Sequence, residues 1–160
     1  MDFSTESAAT VSGWIYSDNS SAQYPNIITI ESGGCETTNL SLVEDTCTNK
    51  MSGSMTYTCR ESVMVSTSRT THQWLHWVAT YENRTISLYV NGVLLSTDTY
   101  TGTATSLNSV NLMLAATNGS HTYFKGLLDE VRVFSKAIDA SQFICYCFTN
   151  AYRQLAQWCN

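Results

Sequence analysis

The sequence predicts an all-β, antiparallel fold stapled by disulfides, and three observations carry that prediction. Of the 160 residues, 20 are Ser and 22 are Thr, and branching at Cβ fits Thr to a pleated, half-buried surface. Apolar residues recur at period 2, as in Ile86, Leu88 and Val90, which places one face of a strand on a core. Asn91-Gly92 supplies the two positive-φ residues that a type I′ hairpin turn demands. At this length one hydrophobic core closes without splitting, so a single domain is expected.

Taken in order, Thr10–Tyr16 is the first predicted strand and stops at a Ser-Asp-Asn-Ser-Ser loop. Ile27–Ile30 follows, entered through the only proline, Pro25, and closed by Gly33-Gly34. From Cys35 to about Met55 the pattern dissolves into polar residues, which reads as a long loop or an irregular hairpin. Strand character returns at Thr56–Cys59 and Ser62–Val65. The segment Gln73–Tyr81, the Glu-Asn-Arg that follows, Thr85–Val90, Asn91-Gly92 and Val93–Leu95 together predict a three-stranded meander. Thr97–Ser106 reads as an exposed loop, Val110–Ala115 as a strand, and Tyr123–Phe134 as one long strand bent at Gly126. Ile138–Phe143 has the look of a single helical turn, and residues 145–160 of a Cys-rich helical or irregular tail tied back onto residues 1–144.

Charge excludes some partners. Only 13% of residues are charged and the net charge is −5, with no cluster of Lys or Arg, so neither nucleic acid nor an anionic membrane is an expected partner. No apolar run approaches the roughly 20 residues that span a bilayer. Six cysteines, Cys35, Cys47, Cys59, Cys145, Cys147 and Cys159, are an even set without paired Cys-x2-Cys spacing, which predicts disulfides in an oxidising compartment rather than a zinc site. Their connectivity stays open. Sequons at Asn19, Asn39, Asn83 and Asn118 fall where turns or loops are predicted and fit a glycosylated, secreted chain.

Three blocks stand in a recurring order: Trp74-Leu-His-Trp-Val-Ala-Thr-Tyr81, Ile86-Ser-Leu-Tyr-Val-Asn-Gly92, and Gly126-Leu-Leu-Asp-Glu-Val-Arg-Val-Phe134 with Ala137-Ile138. The chain resembles the laminin-G-like, concanavalin A-like jelly rolls over about residues 10 to 144, and Gly13-Trp-Ile-Tyr16 matches an early strand of that family. The resemblance implies two antiparallel sheets packed face to face. It also implies an additional first strand beside residues 127–134 that this chain begins too late to contain. Leu127, Leu128, Val131 and Val133 would then form an apolar assembly edge. The edge is covered either by the C-terminal tail or by Asp2–Ser7 of a neighbour, the second arrangement building a head-to-tail homopolymer.

The fold hosts sugar binders, adhesion modules and glucan hydrolases, so side chains must decide the function. A hydrolase on this scaffold needs Glu-x-Asp-x-x-Glu on one strand. The sequence has only Glu44-Asp45 and Asp129-Glu130 as adjacent acids, and neighbours on a strand face opposite sides. Of His72, His76 and His121, His76 sits at the start of a core strand, where a structural role is expected. No catalytic set is expected. The resemblance brings Ca²⁺ as a cofactor, with Asp129 as the first ligand and Asp18 as a loop ligand; the alternative for Asp129 is hydrogen bonding to backbone groups of a neighbouring loop. Tyr16, Tyr24, Tyr81, Tyr89, Tyr100 and Tyr123 supply rings for stacking on sugars or for packing in the sandwich. The expected function is a non-catalytic extracellular module that recognises glycan or protein. The alternative is a structural subunit of a glycosylated filament.

Overall fold

The computed structural model describes residues 8–18, 25–31, 39–58, 61–101, 111–115, 123–139 and 142. Ten strands run through them: β1 (Ala8–Ser17), β2 (Asn26–Glu31), β3 (Asn39–Asp45), β4 (Lys50–Thr58), β5 (Glu61–Ser68), β6 (Trp74–Glu82), β7 (Thr85–Val90), β8 (Val93–Thr99), β9 (Asn111–Leu114) and β10 (Gly126–Phe134). They form two five-stranded antiparallel sheets, the first in the order β10-β1-β6-β7-β8 and the second in the order β5-β4-β3-β2-β9. The expected two-sheet β-sandwich is therefore present.

Period-2 alternation explains the core. Val11 and Ile15 of β1, Leu75, Trp77, Ala79 and Tyr81 of β6, and Ile86 and Leu88 of β7 turn inward to meet Ile28, Ile30, Leu40, Leu42, Met51, Val63 and Val65 of the second sheet. Full burial of each large apolar side chain stabilises the fold by about 1.5–3 kcal/mol. Both meander turns have two residues at positive φ, namely Asn83 and Arg84 at 49° and 68°, and Asn91 and Gly92 at 50° and 80°. Type I′ geometry matches the twist of the strands it joins. Asn91 adds a clamp: its Oδ1 accepts the N–H of His76 at 2.9 Å while its own N–H donates to the His76 carbonyl at 2.8 Å.

Several expectations need correction. Residues 39–58 form a regular hairpin, paired without interruption from Asn39↔Thr56 to Asp45↔Lys50, instead of a long loop. The Asn39 sequon thus opens a strand rather than lying in a turn. Asp45 closes the hairpin, its Oδ1 accepting the N–H groups of Cys47 and Thr48 at 2.9 and 3.1 Å. Cys47 sits exposed in this turn, with no cysteine partner among the described residues. The other five cysteines, the tail 145–160, Asn19, Asn118, Tyr24, His121 and Asp2–Ser7 lie outside the described residues. The expected loop at 97–106 begins later, because β8 continues to Thr99. Tyr123–Phe134 is not one strand, since Tyr123 makes an isolated parallel bridge to Asn26 and β10 starts at Gly126. In the expected helical turn, the N–H of Gln142 donates to the Asp139 carbonyl at 3.0 Å.

In the first sheet β10 carries a bulge. Ser12 pairs Arg132 and Trp14 pairs Asp129, so Gly13 faces two residues, Glu130 and Val131, with Glu130 at φ 48°. A Cβ on Gly13 would stand 3.3 Å from Val131 Cγ2, so glycine lets the bulge approach. Among the described residues β10 has β1 on one side and no strand on the other, which leaves the expected assembly edge open there. Leu127 is 58% exposed, and Leu128, Val131 and Val133 are half-buried against the core.

A buried ionic cluster ties the two sheets at one end. Glu44 on β3 is 0% exposed; its Oε1 accepts the hydroxyl of Ser17 on β1 and lies 3.0 Å from Nε of Arg69, just beyond β5. The Arg69 N–H group is poorly aligned with that oxygen, so the contact is ionic rather than a directed hydrogen bond.

Candidate binding cleft

Alternation that sends Leu75, Trp77, Ala79 and Tyr81 inward turns Trp74, His76, Val78, Thr80 and Glu82 to the outer face of the first sheet. After β10 the chain crosses this face as a strap, Ser135–Asp139. Its Ile138 is buried on Val78, with Tyr89 and Phe134 packed alongside. The Thr10 hydroxyl pins the strap, donating to the Lys136 carbonyl at 2.7 Å and accepting the Ile138 N–H at 3.0 Å.

Strap and sheet enclose an open cleft of about 460 Å³. Its floor is Thr80, Glu82, Thr85, Ser87 and Tyr89, its end is the Asn83 turn, and its wall is Ala137, Ile138 and Asp139. Register places Thr80 opposite Ser87 and Glu82 opposite Thr85. The hydroxyls continue across β8, where Thr85 Oγ1 meets Thr99 Oγ1 at 3.0 Å and Ser87 Oγ donates to Thr97 Oγ1 at 3.3 Å. Three hydroxyls, an amide and two exposed carboxylates thus surround one tyrosine ring, a set that offers donors, acceptors and an apolar face together.

The tyrosines separate by burial. Tyr81 and Tyr100 are core residues, Tyr123 is exposed beside β2, Tyr89 lines the cleft, and Tyr16 lies on the outer face paired with Trp74. Sequence reasoning missed Thr80, Glu82, Thr85, Ser87 and Asp139. Asn83-Arg84 read as a two-residue turn would have set the register that gathers the first four.

His76 is buried, its ring 5.3 Å from that of Trp14. Burial first, and the charge of Arg132 second, depress its pKa from 6.5 to about 4, so at neutral pH it is an uncharged packing group. The expected calcium ligands, Asp129 and Asp18, lie on β10 and just beyond β1. Asp129 pairs opposite Trp14 on β10, and its Oδ1 accepts the N–H of Glu130, the next residue of the same strand, at 2.8 Å. Asp18 lies beyond the end of β1, 3.6 Å from both His72 Nε2 and Lys125 Nζ. Among the described residues no three His, Cys, Asp or Glu side chains group to hold an ion.

The family model of the concanavalin A-like lectin/glucanases superfamily matches residues 2–143. Solved structures with this fold include the botulinum neurotoxin serotype D binding domain, with 14% identity and a TM-score of 0.74 over 96% of this chain and 38% of that one. Another is botulinum neurotoxin type C, whose cell entry depends on interaction with two ganglioside molecules, with 14% identity and a TM-score of 0.68 over 90% and 36%. A third is domain 4 of AbnA, a GH43 extracellular arabinanase from Geobacillus stearothermophilus, in complex with arabinotriose, with 20% identity and a TM-score of 0.68 over 87% and 66%. The chain thus spans little more than a third of the toxin chains. No curated protein matches it.

Proposed function

The chain belongs to the concanavalin A-like lectin/glucanases superfamily, and from that premise we propose that it is a non-catalytic, extracellular carbohydrate-binding module that holds glycan in the cleft under the strap. The cleft's lining carries the reading. A sugar presents hydroxyls that both donate and accept, and ring C–H groups that pack on an aromatic face. Thr80, Thr85, Ser87, Asn83, Glu82 and Asp139 answer the first, Tyr89 the second. Domain 4 of the arabinanase, solved with arabinotriose, and the toxin whose cell entry depends on interaction with gangliosides are similar folds, which supports a carbohydrate ligand here. Because both cleft carboxylates are acidic and exposed, neutral sugars suit the site better than anionic ones.

Catalysis is not part of the proposal. A glycan array probed with the wild type, Tyr89→Ala and Glu82→Gln tests the reading. Binding to neutral glycans that each variant weakens about tenfold or more supports it, and uniform silence of the folded wild type overturns it.

The open edge of β10 favours a second reading, strand addition at Leu127, Leu128, Val131 and Val133 in a homopolymer. Size-exclusion chromatography and electron microscopy decide it. A monomer at all concentrations rejects the filament, and an ordered fibre supports it.

A further inference from the structure

We propose that the outer face of the first sheet holds a second carbohydrate site, separate from the cleft: an aromatic platform of Tyr16, Trp74 and Trp14 that stacks against a β-linked hexopyranose chain. Pairing builds it. Tyr16 lies between Leu127 of β10 and Trp74 of β6, and Trp14 lies one pleat further on between Asp129 and His76. The Tyr16 and Trp74 rings are 5.7 Å apart and tilted by 54°, so neither covers the other, and the edge of His72 meets Tyr16 at 6.5 Å. Trp74 is 43% exposed.

This exposure is informative because the same face is covered elsewhere. The strap buries Val78 under Ile138 but does not reach Trp74. Trp74 opens β6, four residues before Val78 and six before Thr80, the latter about 20 Å at strand rise. The platform and the cleft therefore stand on either side of the strap as two sites.

Polar groups of both signs border the rings, which selects the occupant. Asp18 stands between His72 and Lys125 at 3.6 Å from each. Backbone bonds fix this rim, from Asp18 N–H to the Lys125 carbonyl at 3.0 Å and from His72 N–H to the Ser17 carbonyl at 2.9 Å. With a net charge of −5 the chain has no means of neutralising a phosphate backbone, and the paired carboxylate and ammonium at the rim offer an acceptor and donors side by side. A pyranose with equatorial substituents matches instead: its C–H face lies on the rings and its rim of hydroxyls meets the carboxylate, imidazole and ammonium. The row Leu127–Tyr16–Trp74 crosses two strand spacings, roughly 10 Å, which accommodates more than one sugar ring.

Cellohexaose is the probe, with maltohexaose, whose axial linkage turns the rings out of line, as control. Tryptophan emission and acrylamide quenching are followed during titration. The expected result is a blue shift and at least a twofold fall in quenching with cellohexaose alone. Trp74→Phe should bind within about threefold of wild type, and Trp74→Ala about tenfold more weakly or worse. Tyr89→Ala should leave this response unchanged, so that the platform and the cleft fail independently. An unaltered spectrum at millimolar cellohexaose, equal binding by a folded Trp74→Ala, or a wild-type dimer abolished by that substitution would overturn the proposal.

Discussion

The Thr10 hydroxyl accepts the N–H of Ile138 at 3.0 Å, linking β1 to a segment 128 positions away. The same oxygen donates to the Lys136 carbonyl, so one small side chain on β1 holds the wall of the cleft. Thr10→Val keeps the shape and removes both bonds, leaving a buried N–H and carbonyl without that partner. Stability should fall by about 1–3 kcal/mol, and glycan binding in the cleft should weaken by more than that change in stability alone explains. Thermal melts and array binding of the variant check both.

His76 makes stability depend on pH. Its folded pKa of about 4 lies below the ordinary 6.5, so between these values the unfolded chain binds more protons and stability falls as pH drops. Above pH 6.5 the ring is neutral in both states and contributes no slope. The expected loss by pH 4 is up to about 3 kcal/mol. Urea melts from pH 7 to pH 4 should show this component in the wild type, and its disappearance in His76→Phe, which keeps a ring against Trp14.

The Glu44–Arg69 pair is buried at both ends, with side-chain exposures of 0% and 4%. Glu44→Gln leaves the guanidinium's charge in the interior without its counter-ion and should cost about 3 kcal/mol, or roughly 10 °C in Tm. The double variant Glu44→Leu with Arg69→Met should recover most of the loss, because two apolar groups replace two desolvated charges. Calorimetry of the cycle decides it; a double variant no better than Glu44→Gln contradicts the account.

Asn83 is both a sequon and part of the cleft lining. A glycan attached there stands at the mouth and competes with the ligand. Protein from a glycosylating host should bind the array several-fold more weakly than protein from a host that does not glycosylate. Asn83→Gly, which suits the φ of 49°, should make the two preparations equal.

Much of the first sheet was legible in the sequence because local rules agree there. Thr85–Val90 alternates cleanly, Asn91-Gly92 dictates its own turn, and the expected β7 bounds match those of the structure. The β3–β4 hairpin was hidden by one residue. In Leu40-Ser-Leu-Val-Glu44, the inward position that follows Leu40 and Leu42 is Glu44, and a charge inside with Val43 outside inverts the polarity that marks a face. Only the distant Arg69 and Ser17 make that glutamate acceptable. The cleft was hidden for a related reason: Thr80, Ser87 and Asp139 look like ordinary surface residues until register and the strap bring them together. Tyrosines drew attention as stacking rings, whereas Trp14 and Trp74, which complete the platform, were absorbed into strand patterns.

The bulge at Glu130 interrupts the edge of β10 that no described strand pairs. A strand added to that edge finds regular pairing from Gly126 to Asp129 and then a residue at φ 48° that turns the backbone groups out of step. Four residues fall short of the usual strand of about five or six. A strand added along this edge would consequently pair in two short runs, 126–129 and 131–134, divided at Glu130, and the partner strand must carry an irregularity of its own to follow both.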